Sequence, residues 1–180
     1  MANWYEELTP EITEFIRAQK VFFVATAPPD GDGFPNLSPK GYDSLAVLSA
    51  REVVYVDWPG SGNQTAAHAS AGGPITLMFA GFEQRAWIVR VYGRGRVHAT
   101  GSPEYAALAE RLGAERVGPY TRQLIAIDVE KVQTSCGYAV PFYEFRGERD
   151  TLERYYDRAA EKGALDEKLE RYARPQGFVR

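Results

Sequence analysis

The run VFFVATAPPDGDGFPNLSPKG, residues 21–41, decides how the chain is read. Its first seven residues are β-branched, aromatic or small and almost wholly apolar. Such a run predicts a strand, here one buried on both faces. PPDGDG at 28–33 is a turn cluster: prolines fix φ, and Asp-Gly pairs tolerate the left-handed conformation a tight turn needs. FPNLSPKG at 34–41 resumes an extended chain, because Pro39 biases Ser38 away from the helical region. Strand, Asp-Gly turn and strand make a hairpin, the unit of antiparallel β architecture.

The same pattern continues outward. SLAVLS (44–49), EVVYVD (52–57), PITLMFAGF (74–82), RAWIVRVYGRGRVHA (85–99) and RQLIAIDVEKVQTS (122–135) read as further strands. Gly93 and Gly95 inside the longest of them suggest a bulge or a close backbone approach. Helices are few and peripheral. LTPEITEFIRAQ carries a Thr9 cap, Pro10 at the first position and an apolar face of Ile12, Phe15 and Ile16. SPEYAALAERLG (102–113) repeats the design with Ser102 and Pro103, and Gly113 follows its end. A short helix is expected over QTAAHAS, and two amphipathic segments between about 149 and 173 break near Gly163. Many strands with few intervening helices exclude a βαβ nucleotide fold and favour one antiparallel barrel or sandwich with peripheral helices.

Composition narrows the function. The 180 residues are 44% hydrophobic and 25% charged with net charge −3, as expected of one soluble domain that does not bind nucleic acid. Neither a signal peptide nor an apolar run of roughly 20 residues is found, so no membrane association is expected. One cysteine fits a reducing, cytoplasmic compartment. Two histidines and that cysteine are too few for a structural zinc site and make a Ser-His-Asp triad improbable. An enzyme so furnished would leave the hard chemistry to a cofactor.

Three polar elements remain. Ser38 and Lys40 lie two residues apart on an extended segment and so face one side; they are either a solvated pair or a hydroxyl and a cation for a ligand. WPGSGNQTAAH (58–68) is a bendable loop, either a plain turn or a cradle of backbone N–H groups for an anion. Arg90, Arg94 and Arg96 have even spacing and share a face unless a bulge divides them; they are a solvated edge or an anion contact.

These elements also match a family. FIRAQKVFFVATAPPDGDGFPNLSPKG, VVYVDWPGSGNQTAAH, PITLMF, RVYGRGRV and TSCGYAVP, in this order over about residues 12–141, resemble the pyridoxamine 5'-phosphate oxidase-like flavoproteins. The resemblance implies a six-stranded antiparallel Greek-key split barrel, a homodimer, and FMN at the interface. It places Ser38, Lys40 and Gly41 among the flavin contacts, Ser61, Gly62, Asn63, Gln64 and Thr65 at the phosphate, and Thr26 at the ring edge. Asn63 and Gln64 stand where the family often carries a basic pair, so charge must come from Lys40, Arg94 or main-chain N–H groups. The paired Arg and His that hold the substrate phosphate in true pyridoxamine phosphate oxidases are not found in the tail, which has Arg171, Arg174 and Arg180. The expected function is therefore flavin-dependent oxidation or reduction of another small molecule. The alternatives are a non-catalytic flavin sensor or carrier, or a split barrel holding a deazaflavin or haem. Cys136, Trp58, Tyr138, Phe142 and Tyr143 are expected to serve packing, with a redox thiol or cleft lining as their other possible roles. His68 and His98 are expected to be structural or at the surface.

Overall fold

The computed structural model describes residues 2–83 and 85–173. The elements run β1 (Asn3–Tyr5), α1 (Pro10–Ala18), β2 (Phe22–Thr26), β3 (Asn36–Lys40), β4 (Leu45–Ser49), β5 (Glu52–Asp57), α2 (Gln64–Ser70), β6 (Pro74–Ala80), β7 (Trp87–Ala99), α3 (Pro103–Leu112), β8 (Gln123–Cys136), α4 (Thr151–Glu161) and α5 (Leu165–Ala173). The tail beyond Ala173, including Arg174 and Arg180, lies outside the described residues.

All pairings are antiparallel, in the order β3-β2-β6-β7-β8-β5-β4, with β1 added beside β8. The two ends of this path, β3 and β4, are consecutive in the chain yet unpaired with each other. The barrel is thus split between them. The turn that crosses the split holds Tyr42 and Asp43 in the left-handed region, at φ 61° and 48°. Arg116 secures it by donating to the Asp43 carbonyl at 2.9 Å and to its carboxylate at 2.7 Å.

Apolar alternation fills the barrel. Val24, Leu77, Val91, Ile125 and Ile127 meet inside with Ile12, Phe15 and Ile16 of α1. Thr9 caps α1 as expected, accepting from the Ile12 N–H at 3.2 Å. β5 is buried on both faces: Val53 and Tyr55 point into the barrel, while Val54 and Val56 pack with Leu108 and Leu112 of α3. Each such side chain contributes about 1.5–3 kcal/mol on burial.

Three features differ from the sequence reading. β2 alternates: Phe22, Val24 and Thr26 are buried but Phe23 and Ala25 only half so, because one face of an antiparallel sheet can stay open. Among the described residues there are eight strands, one more than the seven read from the residues and two more than the six the resemblance implies. β1, three residues long, is too short to show a period; it is held by its pairing with β8 and by Trp4 stacking on Tyr92 at 5.7 Å. The bulge near Gly93 puts its extra residue, Glu130, on β8, since Tyr92 faces Lys131 and Gly93 faces Val129. Arg90, Arg94 and Arg96 therefore stay on one face of β7. Arg90 donates to the Ser135 hydroxyl, Arg94 pairs with Glu130, and Arg96 pairs with Asp128 and Glu52.

Gly93 is required there by contact: a Cβ would sit 2.0 Å from the Asp128 carbonyl oxygen, whereas at Gly60 a Cβ meets nothing within 4 Å. Gly93→Ala should cost about 2 kcal/mol and lower Tm by roughly 4–8 °C, while Gly60→Ala stays within about 0.5 kcal/mol. Thermal unfolding of both variants checks this; equal Tm values would contradict it.

Candidate functional site

Along β3 the side chains of Asn36, Ser38 and Lys40 lie on the half-buried face and Leu37 and Pro39 on the exposed one. The polar three pair with Thr26, Val24 and Phe22, whose side chains point into the barrel. One inner edge of the split is therefore hydrophilic. Asn36 accepts from the Ser38 hydroxyl at 3.2 Å and donates to the Thr65 hydroxyl at 3.0 Å, tying β3 to the start of α2.

The opposite edge is the end of β5. There Asp57, only 3% exposed, accepts from Lys40 Nζ through Oδ1 at 2.9 Å. Its Oδ2 accepts from Arg122 Nη2 at 2.6 Å, Arg122 Nε at 3.1 Å and Gln123 Nε2 at 2.7 Å. The register of β5 on β8 explains the meeting, since Asp57 lies opposite Gln123. Gln123 donates as well to Asn63 Oδ1 at 2.7 Å, and Arg122 Nη2 to the Gly62 carbonyl at 3.2 Å. One carboxylate thus orients two cations, two amides and the loop that follows β5.

Burial pushes the Asp57 carboxyl up, but Lys40 and Arg122 together outweigh it and hold it below the usual carboxylate range. Asp57 is therefore ionised at neutral pH, and the trio carries one net positive charge. Burial and the Asp57 charge push the hydroxyl of Tyr55 well up, so it keeps its proton. Thr65 lies beside that hydroxyl, but without a hydrogen bond of good geometry.

Between these edges lies a recess of about 700 Å³, lined by Asn36, Ser38, Lys40, Asp57, Arg122 and the loop from Trp58 to Thr65. Trp58 packs on Tyr42, with ring centroids 5.6 Å apart, and its buried Nε1 has no hydrogen-bond partner among the described residues. Lys40 also lines a second, larger groove of about 1020 Å³. That groove is lined by α1, by Gly81, Phe82, Glu83 and Arg85, and by the 143–149 segment, so its walls hold Phe15, Tyr42, Phe82, Tyr143 and Phe145 together with five glutamates.

Of the residues singled out from the sequence, Ser38, Lys40, Ser61, Gly62, Asn63, Gln64 and Thr65 lie together around the recess. Three lie elsewhere. The Thr26 hydroxyl is engaged with His68 Nδ1 at 3.0 Å, away from the recess and its lining, which also makes His68 structural. Gly41 lines the larger groove instead. Arg94 is turned to Glu130 and to the Gly72 carbonyl at 2.8 Å, so it supplies no charge here. The basic residue that does is Arg122, which the sequence reading missed; only the long-range β5–β8 register brings it in. Cys136, expected to be packed, is exposed at the end of β8, and Tyr138, Phe142 and Tyr143 are exposed beyond it.

The profile of the pyridoxamine 5'-phosphate oxidase family matches residues 8–136, which span the sheet from α1 to the end of β8. The chain belongs to the pyridoxamine 5'-phosphate oxidase family. It is 38% identical over 156 residues to the pyridoxamine 5'-phosphate oxidase family protein ustO of Aspergillus flavus, an alignment covering 85% of this chain and 61% of that protein. The chain thus spans less than two thirds of that relative's length. Among solved structures it is similar to HupZ of Group A Streptococcus, with 25% identity and a TM-score of 0.55 over 69% of this chain and 91% of that one. It is also similar to a candidate pyridoxamine 5'-phosphate oxidase from Lactobacillus delbrueckii, with 20% identity and a TM-score of 0.55 over 71% of this chain and 94% of that one. The last likeness concerns the fold alone. Among the described residues no helix is long and apolar enough to cross a membrane.

A stability consequence follows from the buried trio. The folded pKa of Asp57 lies below its unfolded value, so its contribution is present above about pH 4 and lost as pH falls through the folded pKa. Asp57→Asn should cost about 3 kcal/mol at pH 7 by leaving two cations without their carboxylate. That deficit relative to the wild type should shrink below about pH 4. Tm measured against pH for both proteins checks it; a gap that stays constant down to low pH would contradict the role given to Asp57.

Proposed function

We propose that the protein is an FMN-dependent oxidoreductase that transfers a hydride or electrons to or from a small molecule other than pyridoxamine phosphate. The observation that carries this is the joining, at Lys40, of a cationic recess to an aromatic-walled groove. The recess suits a phosphate: Arg122 and Lys40 offer charge, Ser38, Ser61 and Thr65 offer hydroxyls, and Asn36 and Gln64 offer amides. Arg122 and Lys40 stand in for the basic pair that Asn63 and Gln64 replace. The groove suits a flat ring system. Bound FMN would supply the hydride or electron chemistry. The chain's own part is to bind and orient. Lys40, at the junction, places a positive charge that favours negative charge developing on a reduced ring. Tyr55 stays neutral and adds no opposing charge.

The active form in this reading is a homodimer. Its support is the exposed apolar surface beside the split, with Phe34 64% and Leu37 66% exposed on the segment that carries β3. The exposed Cys136 fits a reducing, cytoplasmic setting.

Purified protein mixed with FMN should show the two visible flavin bands after gel filtration and elute at twice 20.1 kDa. A protein that stays colourless in excess FMN would overturn the cofactor assignment. Arg122→Lys and Lys40→Ala should each weaken FMN binding by about 10- to 100-fold, the usual weight of a charged hydrogen bond. Unchanged dissociation constants would remove these residues from the site. Anaerobic bleaching of the bound flavin by NADH or NADPH tests turnover; persistence of colour with both donors would favour a flavin carrier.

A further inference from the structure

Two of the donors at the recess are engaged by the chain itself. In the last turn of α5 the carbonyl of Tyr172 accepts from Arg122 Nη1 at 2.7 Å, and that of Ala173 accepts from Asn63 Nδ2 at 2.9 Å. The final carbonyls of a helix lack partners within it and bear a concentrated negative partial charge. They therefore offer Arg122 what a phosphate oxygen would offer.

The two C-terminal helices are held very differently. α4 is anchored: Tyr156 and Ala159 are 1% and 2% exposed, and Tyr156 donates to the Pro59 carbonyl at 3.0 Å. Tyr120 adds a bond to Asp157 at 2.6 Å. Burial, with Tyr172 and Tyr155 alongside, pushes the Tyr156 hydroxyl up to about 12, so this donor persists. α5 by contrast has no buried residue. Its nine residues are too few for a helix to be stable alone in water. What holds it, apart from the two carbonyls, includes the Lys168 ammonium on the Tyr155 hydroxyl at 2.7 Å and over its ring at 4.2 Å, an exposed pair. Between the helices Gly163 stands at φ 64°, a conformation other residues rarely adopt.

We propose that α5 is a removable plug of the anion subsite. Its C-terminal carbonyls occupy Arg122 and Asn63 in the unliganded protein. A phosphate-bearing ligand binds by taking those donors and swinging α5 away about Gly163, while α4 stays docked on the loop. The proposal rests on the reading of the recess as a phosphate site. It also makes ligand affinity a property of the α5 sequence, since any change that weakens α5 raises the fraction of chains whose Arg122 and Asn63 donors are available to a ligand.

Hydrogen exchange of the full chain, with and without saturating FMN or inorganic phosphate, reads the plug directly. Either ligand should speed exchange over residues 165–173 and leave 151–161 unchanged. Leu169→Pro breaks α5 at a half-buried position and should tighten phosphate and FMN binding about tenfold. Exchange over α5 that is unchanged or slowed by bound ligand, or a Leu169→Pro protein that binds phosphate no tighter than the wild type, would overturn the plug. If phosphate loosens α5 and Leu169→Pro tightens phosphate binding, but FMN binds neither protein, the flavin assignment fails and the plug stands.

Discussion

A buried carboxylate held by two cations governs this structure. Asp57 sits at the end of β5 with Lys40 of β3 on one oxygen and Arg122, just before β8, on the other. Burying a lone carboxylate would cost several kcal/mol, and leaving either cation buried without it would cost as much. The three are therefore kept together or lost together. Because β3 and β4 do not pair, no ladder of main-chain hydrogen bonds closes the barrel there. The Lys40–Asp57 ion pair spans the gap between β3 and β5, and Lys40 also lies over the Tyr55 ring of β5 at 5.8 Å. The same carboxylate fixes Gln123 and, through it, Asn63, so the loop after β5 takes its shape from one charge.

The charge and most of the neutral donors around the recess come from different parts of the chain. In this chain the loop contributes mainly main-chain groups, hydroxyls and amides, and the charge arrives from flanking strands. The surplus of one positive charge suits an anion but does not neutralise a phosphate dianion. The remaining charge falls to the neutral donors around it. In the proposed reading, that modest surplus lets the carbonyl end of α5 compete with an anion for Arg122. The α4–α5 unit thus becomes part of the site, through Tyr156 on Pro59 and the last carbonyls of α5 on Arg122 and Asn63.

How much could be read from sequence depended on distance along the chain. Capped helices such as α1 and α3, the hairpin around PPDGDG and the break at Gly163 are local events, and local residues announce them. The common face of Ser38 and Lys40 follows from strand geometry alone. β1 escaped notice because three residues carry no period; only β8 and Tyr92 give it a place. Arg94 was one candidate charge donor beside Lys40 and the main-chain N–H groups, but it is turned to Glu130 and Gly72. Arg122 looked ordinary in TRQLIAID, and nothing near it hints at a buried carboxylate 65 positions earlier. Only the pairing of Asp57 with Gln123 makes the connection, and a register between distant strands is a property of the whole sheet.

A crystal structure of the protein with FMN would show directly whether Arg122 and Lys40 hold the cofactor's phosphate. The phosphate should lie within hydrogen-bond distance of Arg122 and Lys40, the flavin ring in the groove beyond Lys40, and the α5 carbonyls should be withdrawn from Arg122. A phosphate bound away from both cations, with the Asp57 trio and α5 undisturbed, would contradict this placement.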